Sequence, residues 1–503
     1  MVKPDGRLTL DLDPYDRPPR DACGVFGVWS PGEDVAKLAY FGLQALQHRG
    51  QESAGIAVSD GRRIVVHKEM GLVAQVFDEP SLTALRGDIA VAHCRYSTTG
   101  APVWANAQPT FRSTPMASVA LGHNGNLTNT RELAAMLPAD NSLRTLSSPE
   151  GATSRTPRID ATSDTDVLTE LIVDSAATAG TLADAAASIL PRVRGAYSLV
   201  FMDENTLYAA RDPQGFRPLV LGSLGPQPGS PRGWVVASET AALDIVGATF
   251  VREVQPGEMI AMDERGVQSR IFAEAAPKVC LFEYVYLARP DTAIGGQGVH
   301  ATRVQIGRTL AAEHPADADL VIPVPESGTP AAIGYAEASG IPYGLGFVKN
   351  SYVGRTFIQP SQTIRQRGIR LKLNPLRDMI AGKRVVVVDD SIVRGNTQRA
   401  IVGMLRESGA RAVHVRIASP PVKWPCFYGI DFATREELIA GHSTLDEILK
   451  SIGADSLGYV SLDGLIAATQ QQPGSLCRAC FDGHYPVPVA EHERGKDVLE
   501  PTH

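Results

Sequence analysis

The run Val385-Val386-Val387-Val388-Asp389-Asp390-Ser391-Ile392-Val393-Arg394-Gly395-Asn396-Thr397 sets two adjacent carboxylates and a hydroxyl- and glycine-rich loop directly after four valines. Four valines in a row predict a strand covered on both faces, and the apolar positions Ile401, Met404 and Leu405 predict a helix after the loop. Backbone N–H groups in such a strand-to-helix turn, with the Ser391 and Thr397 hydroxyls and the positive end of the helix dipole, suit a phosphate. Asp389 and Asp390 could accept from two vicinal ribose hydroxyls or stand beside a magnesium ion; a solvated turn would also use them. A second strand ends in Val324-Pro325-Glu326-Ser327-Gly328-Thr329-Pro330, small and hydroxylic enough to cradle a diphosphate or simply to turn. Between the two lies a basic stretch with Lys349, Arg355, Arg365, Arg367, Arg370 and Lys372, where a polyanion could be collected under a glycine-containing lid. Near the carboxy terminus the spacing Cys477-Arg478-Ala479-Cys480 lets two sulfurs grip one centre, and a four-thiolate set with Cys280 and Cys426 would suit zinc or an iron–sulfur cluster.

The elements that must position these groups are those of an ordinary globular protein of 503 residues, 44% hydrophobic and 20% charged, too long for one core. The net charge of -7 and pI near 5.9 argue against non-specific nucleic-acid binding, so an anionic ligand must be met by local basic clusters. No apolar run approaches the ~20 residues of a membrane span, and the charged, proline-rich start has no secretory h-region; a cytoplasmic location is expected, with no membrane partner. Six cysteines in such a chain read as catalytic, metal-binding or buried rather than disulfide-bonded. Residues 1–22 read as a leader. Residues 23–257 show short alternating apolar runs and two helical stretches, which predicts an antiparallel sheet with flanking helices. Residues 258–470 alternate strand with helix, which predicts a helix-wrapped parallel sheet. Residues 471–503 read as a loop-like tail, and 142–162, rich in Ser, Thr, Pro and Arg, as an insertion loop.

The motifs Asp21-Ala22-Cys23-Gly24, Gln47-His48-Arg49-Gly50-Gln51-Glu52-Ser53, His93-Cys94-Arg95-Tyr96-Ser97-Thr98-Thr99-Gly100, His123-Asn124-Gly125-Asn126-Leu127 and Ser163-Asp164-Thr165 together resemble the class II glutamine amidotransferases of the N-terminal-nucleophile superfamily. The resemblance implies an αββα glutaminase domain of α+β class. Cys23 would be the nucleophile, Asn124 and the Gly125 N–H the oxyanion hole, Arg95 the clamp for the substrate carboxylate and Asp164 the acceptor for its α-ammonium. The physical logic agrees: cleavage after Ala22 would free an α-amine whose pKa of about 7.7–8.0 lets it serve as base for its own thiol. Cys94 has no such role and reads as a small buried side chain.

The Asp389-Asp390 string resembles the phosphoribosyl diphosphate (PRPP) signature of the type I phosphoribosyltransferases, an α/β class. That resemblance implies PRPP binding by Lys349, Arg355, Asp389, Asp390, Ser391, Arg394, Gly395, Asn396 and Thr397, with Ser327 joining the two aspartates around one magnesium ion per subunit. With both halves present, the chain resembles the iron–sulfur branch of the amidophosphoribosyltransferase family, which implies one [4Fe–4S] cluster on Cys280, Cys426, Cys477 and Cys480, stapling the tail to the body. It further implies glutamine and PRPP as substrates at the first committed step of purine synthesis, giving 5-phosphoribosylamine, glutamate and diphosphate, a homotetramer, and feedback by purine nucleotides. Ser351 at a commonly basic position, the long insertion and Cys94 depart from the family pattern. Two other classes stay in view: a PRPP- or nucleotide-binding regulatory module, and a glutaminase feeding another sugar phosphate.

Overall fold

The computed structural model describes residues 23–97, 99–114, 118–137, 162–225, 232–350, 373–430, 434–490 and 499. The leader, nearly all of the insertion loop, Ser351, Arg355 and the rest of the basic stretch through Lys372 lie outside the described residues.

Two antiparallel sheets face each other in the amino-terminal half. One has seven strands in the order Thr249–Glu253, Val220–Leu224, Gly233–Ala237, Gly24–Trp29, Ile89–Arg95, Ser53–Ser59 and Ile64–Met70. The other has six, in the order Gly266–Ile271, Glu258–Asp263, Leu207–Arg211, Gly195–Met202, Ser118–Leu127 and Thr110–Ser113. Strand alternation builds the layers. In Gly24–Trp29, Val25 joins a core shared with Ala120, Val200 and Ile260 of the second sheet, while Phe26 and Val28 pack outward with Leu43 and Leu46 of the helix Val35–Leu46. Leu168, Leu171 and Ile172 of the helix Asp164–Ala179 cover the far side of the second sheet. Gly27 lets the sheets close up, since a Cβ there would meet Val200 at 2.5 Å. The result is the expected αββα order of layers. The sheet extends beyond the expected boundary at residue 257: Glu258–Asp263 pairs with both Leu207–Arg211 and Gly266–Ile271. An added antiparallel hairpin looks like a change of texture in sequence but adds edge strands to the existing sheet, so we place the domain boundary after Ile271.

The carboxy-terminal half is built on four parallel strands, Leu320–Pro323, Arg384–Asp389, Ala412–Ile417 and Ser456–Tyr459. The four valines are divided as a doubly covered strand requires. Val386 and Val388 pack with Val299, Ile306 and Leu310 of the helix Val299–Glu313, and Val385 and Val387 with Ile401, Met404 and Leu405 of the helix Asn396–Glu407. The tail does not dangle through residue 490. Leu476–Cys477 forms a parallel pair with Val279–Cys280, and Val487 packs beside Tyr428.

Candidate active site

Cys23 stands immediately before Gly24–Trp29, and the pairing Gly24↔Cys94 sets it opposite Arg95 at the end of the neighbouring strand. Its Sγ donates to the Tyr96 carbonyl at 3.2 Å and receives the Tyr96 N–H at 3.4 Å. Burial pushes this thiol up to about 11, against the pull of the Tyr96 backbone and of Arg95. Asn124 and Gly125 come from Ser118–Leu127 on the facing sheet, and Asp164 opens the helix Asp164–Ala179, whose N-cap Ser163 accepts from Asp166 N–H at 3.2 Å. Cys23, Arg95, Gly125 and Asp164 line one nearly closed cavity of about 10 Å³, space for about one water. Asn124 lies beside it, with its Nδ2 3.4 Å from Ser238 Oγ and its buried Oδ1 without a hydrogen-bond partner among the described residues.

Each group is held by its neighbours. Arg95 donates to the carbonyls of Thr99 at 3.1 Å and of Gly100 and Ala101 at 3.3 Å. Asp164 accepts the N–H groups of Leu127 at 3.0 Å and Thr165 at 2.8 Å, which pins the turn after Gly125. Sequence reasoning missed Gln108, whose Oε1 accepts from His123 N–H at 2.7 Å while its Nε2 donates to Thr165 Oγ1 at 3.0 Å. Gln108 sits in no motif, so nothing local marks it. Thr99, Tyr96 and Thr165 lie inside the quoted motifs but attracted no role. Cys94 points to the opposite sheet face, buried 3.3 Å from the Leu46 carbonyl.

At the second site, Asp389 ends its strand and Asp390 starts the loop. Burial and the neighbouring Asp390 drive Asp389 well above the usual carboxylate range. Burial raises Asp390 too, opposed by hydroxyls of Ser327 and Ser391 and the charge of Arg303. Ser391 Oγ donates to Asp390 Oδ1 at 2.5 Å, and Gln398 Nε2 donates to Asp389 Oδ2. Gly395 takes φ +81° as N-cap of Asn396–Glu407, aiming that helix's first turn, with Asn396 and Thr397, at the loop. A Cβ on Gly328 would lie 2.4 Å from the Val388 carbonyl, so the Ser327 turn presses directly on the strand end. Of the expected basic ligands, Lys349 and Arg394 are among the described residues, and each is paired with a glutamate. Arg394 pairs with Glu437 at 2.6 Å beside an open cavity of about 510 Å³, and Lys349 pairs with Glu326 at 3.3 Å.

The cysteines converge. Cys280 and Cys477 are register partners, and the Lys423 and Trp424 N–H groups donate to the Cys480 carbonyl at 2.9 and 3.1 Å, bringing the chain before Cys426 alongside. Burial pushes Cys280 up to about 11 and Cys480 well above the thiol range, with the other three thiols adding to the shift of Cys480. All six cysteines are free. Among the described residues no three His, Cys, Asp or Glu side chains crowd closely enough for a single-ion site of that type. Both implied groups nonetheless suit the donors. Magnesium is commonly held by one or two carboxylates plus substrate phosphates, and Cys280, Cys477 and Cys480, buried beside half-buried Cys426, are cysteine donors of the kind that hold an iron–sulfur cluster as thiolates.

A glutaminase sandwich joined to a phosphoribosyltransferase-type parallel sheet defines a two-site glutamine amidotransferase, and a glutamine amidotransferase domain model matches residues 93–244. The amidophosphoribosyltransferase of Mycobacterium tuberculosis is 62% identical over 489 residues, covering 96% of this chain and 90% of that one. That of Bacillus subtilis is 46% identical over 475 residues, covering 93% and 95%. A solved structure of the allosteric regulatory enzyme of purine biosynthesis superposes with TM-score 0.86 at 45% identity, covering 95% of this chain and 99% of that one. The B. subtilis glutamine PRPP amidotransferase complexed with ADP and GMP gives 0.84 at 45%, covering 93% and 98%. The chain belongs to the amidophosphoribosyltransferase family. It is an enzyme, a glutamine amidotransferase and pentosyltransferase of purine biosynthesis. Among the described residues no helix is long and apolar enough to cross a membrane.

Proposed function

We propose that Cys23, exposed as an amino terminus by cleavage after Ala22, carries the glutamine half-reaction. The observation that supports this most is the single cavity shared by Cys23, Arg95, Gly125 and Asp164, residues drawn from two sheets and a helix. With Cys23 inside a peptide bond the buried thiol stays protonated at neutral pH. A free α-amine takes the Sγ proton, and the thiolate attacks the side-chain amide carbon of glutamine. Asn124 and the Gly125 N–H hold the resulting oxyanion, worth about 3–4 kcal/mol per donor in comparable sites. The protonated amine returns its proton to the leaving nitrogen, freeing ammonia and leaving a thioester that water cleaves to glutamate. The substrate's carboxylate displaces the carbonyls of Thr99, Gly100 and Ala101 from Arg95, and Asp164 receives its α-ammonium.

At the second site ammonia attacks C1 of PRPP as the bond to diphosphate breaks. Asp389, Asp390, Ser391, Gly395, Asn396 and Thr397 hold the ribose and its phosphate, and Lys349, Arg355 and Arg394 neutralise the rest of the polyanion. Asp389, Asp390 and Ser327 would hold a magnesium ion, which would supply positive charge for the leaving diphosphate. Cys280, Cys426, Cys477 and Cys480 would hold a [4Fe–4S] cluster whose role is structural. A cytoplasmic homotetramer inhibited by purine nucleotides completes the reading. The six free cysteines support a reducing location, and the B. subtilis complex with ADP and GMP supports nucleotide control.

Diphosphate release from PRPP, driven by glutamine or by ammonia in a Cys23→Ala variant, tests the division. Ammonia should still support the reaction and glutamine should not. Loss of both in a folded variant would sink the two-site assignment.

A further inference from the structure

The loop that carries Cys426 crosses from the carboxy-terminal half to the glutaminase site. Asn126 Nδ2 donates to the Phe427 carbonyl at 3.1 Å, and Asn126 Oδ1 accepts from Thr99 Oγ1 at 2.7 Å. Gly429 has φ +102°, and a Cβ there would stand 3.0 Å from both Cα and C of Gly125 and 3.2 Å from its carbonyl oxygen. On its other side Gly125 is blocked by Ala196, whose carbonyl oxygen would lie 2.0 Å from an added Cβ. Gly125, at φ +148°, is therefore clasped between the strand Gly195–Met202 and Gly429.

The loop itself is rigidly seated. The Tyr428 carbonyl accepts from Arg217 Nε at 3.0 Å and Nη2 at 2.7 Å, the Tyr428 ring stacks on Phe216 at 4.3 Å, and Tyr428 N–H donates to Cys426 Sγ at 3.4 Å. Fully buried Arg217 also reaches Glu283 at 3.2 Å, and Glu283 takes Arg49 Nη2 at 2.5 Å. The residue after Arg49, Gly50, presses on the Cys94–Arg95 peptide, where a Cβ would meet the Cys94 carbonyl at 2.3 Å. Both sides of the glutaminase cavity thus lean on the segment that follows Cys426 and on the Glu283 carboxylate just past Cys280.

We propose that Gly429 is a positioning residue for the glutamine half-reaction: packed on Gly125, with the Phe427 carbonyl held by Asn126, it fixes Gly125 and so its N–H where the oxyanion forms. This rests on the assignment of Asn124 and Gly125 as the oxyanion hole.

The test compares the full-length Gly429→Ala variant with the parent protein. Glutamine-dependent kcat should fall by about 10² with KM for glutamine within threefold, because a misplaced oxyanion donor costs the transition state and not ground-state binding. The ammonia-dependent rate, iron content, and rate of Cys23 alkylation by iodoacetamide should match the parent, since none needs the oxyanion hole. Glutamine kcat within threefold of the parent, or parallel loss of the ammonia rate and iron, would overturn the proposal. Should Gly429→Ala fail to accumulate, the isosteric Asn126→Asp variant asks the same question, replacing the donor to Phe427 by a repelling oxygen. It should lower glutamine kcat at least tenfold with the ammonia rate and iron intact, and parent-like glutamine kcat would count equally against the idea. Failure of the oxyanion assignment itself is recognised separately, by parent-like glutamine kcat in Asn124→Ala.

Discussion

The two reaction centres are built in opposite ways. Around Cys23 the cavity is almost filled: Arg95, Asp164, Gln108 and His123 are buried, and hydrogen bonds to neighbouring residues hold them before any substrate arrives. Around Asp389 and Asp390 the described residues form the anchoring part of the site. The carboxylates are fixed at a strand end, whereas Arg394 is occupied by Glu437 at the edge of open space and Lys349 by Glu326. The contrast follows from what each site must stabilise. An oxyanion that exists only in the transition state rewards donors fixed in advance. A ligand carrying several negative charges brings its own demand for cations, and clustering bare arginines beforehand would cost repulsion until it arrived.

Breaking the comparison at its strongest point, Cys23→Ala should reduce glutamine-dependent diphosphate release by more than about 10³-fold while leaving the ammonia reaction within twofold. Asp389→Asn should instead depress both reactions by about 10²–10³-fold, measured with saturating magnesium, because it strikes the shared acceptor site. A chain that keeps Ala22 attached to Cys23 sharpens the first site further. Burial disfavours the thiolate and raises its pKa to about 11, so alkylation by iodoacetamide should climb only as pH approaches that value. The cleaved form should show its break near 8, set by the α-amine, and react about 10²-fold faster at pH 8. The smallest effect is expected for Thr99→Val, which deletes the hydroxyl bonded to Asn126 Oδ1. Losing about 0.5–1.5 kcal/mol of support should lower glutamine kcat by about two- to tenfold and leave the ammonia reaction untouched.

Much of this was readable from residue order. Short alternating apolar runs and the Val385–Val388 run predicted strands, because burial on a pleat follows a period of two; that Gly24–Trp29 is covered on both faces, by the second sheet and by the helix Val35–Leu46, appeared only in the fold. Motifs named Cys23, Arg95, Asn124, Gly125, Asp164 and the aspartate pair, and the fold brings Cys23, Arg95, Gly125 and Asp164 to one cavity. The hairpin Glu258–Asp263 and Gly266–Ile271 was assigned to the wrong half, since a strand's own pattern does not name the sheet whose edge it joins. Gln108 was missed for a related reason: its two hydrogen bonds reach His123 and Thr165, and no local pattern records them.

The sequence by itself determined the chemistry available and the type of element presenting it, because side-chain identity and short-range periodicity are local properties. Only the tertiary structure decided that Phe427 meets Asn126 at a separation of 301 positions and that Gly429 lies against Gly125. Contacts of that range are chosen by the packing of whole cores, which no single segment encodes.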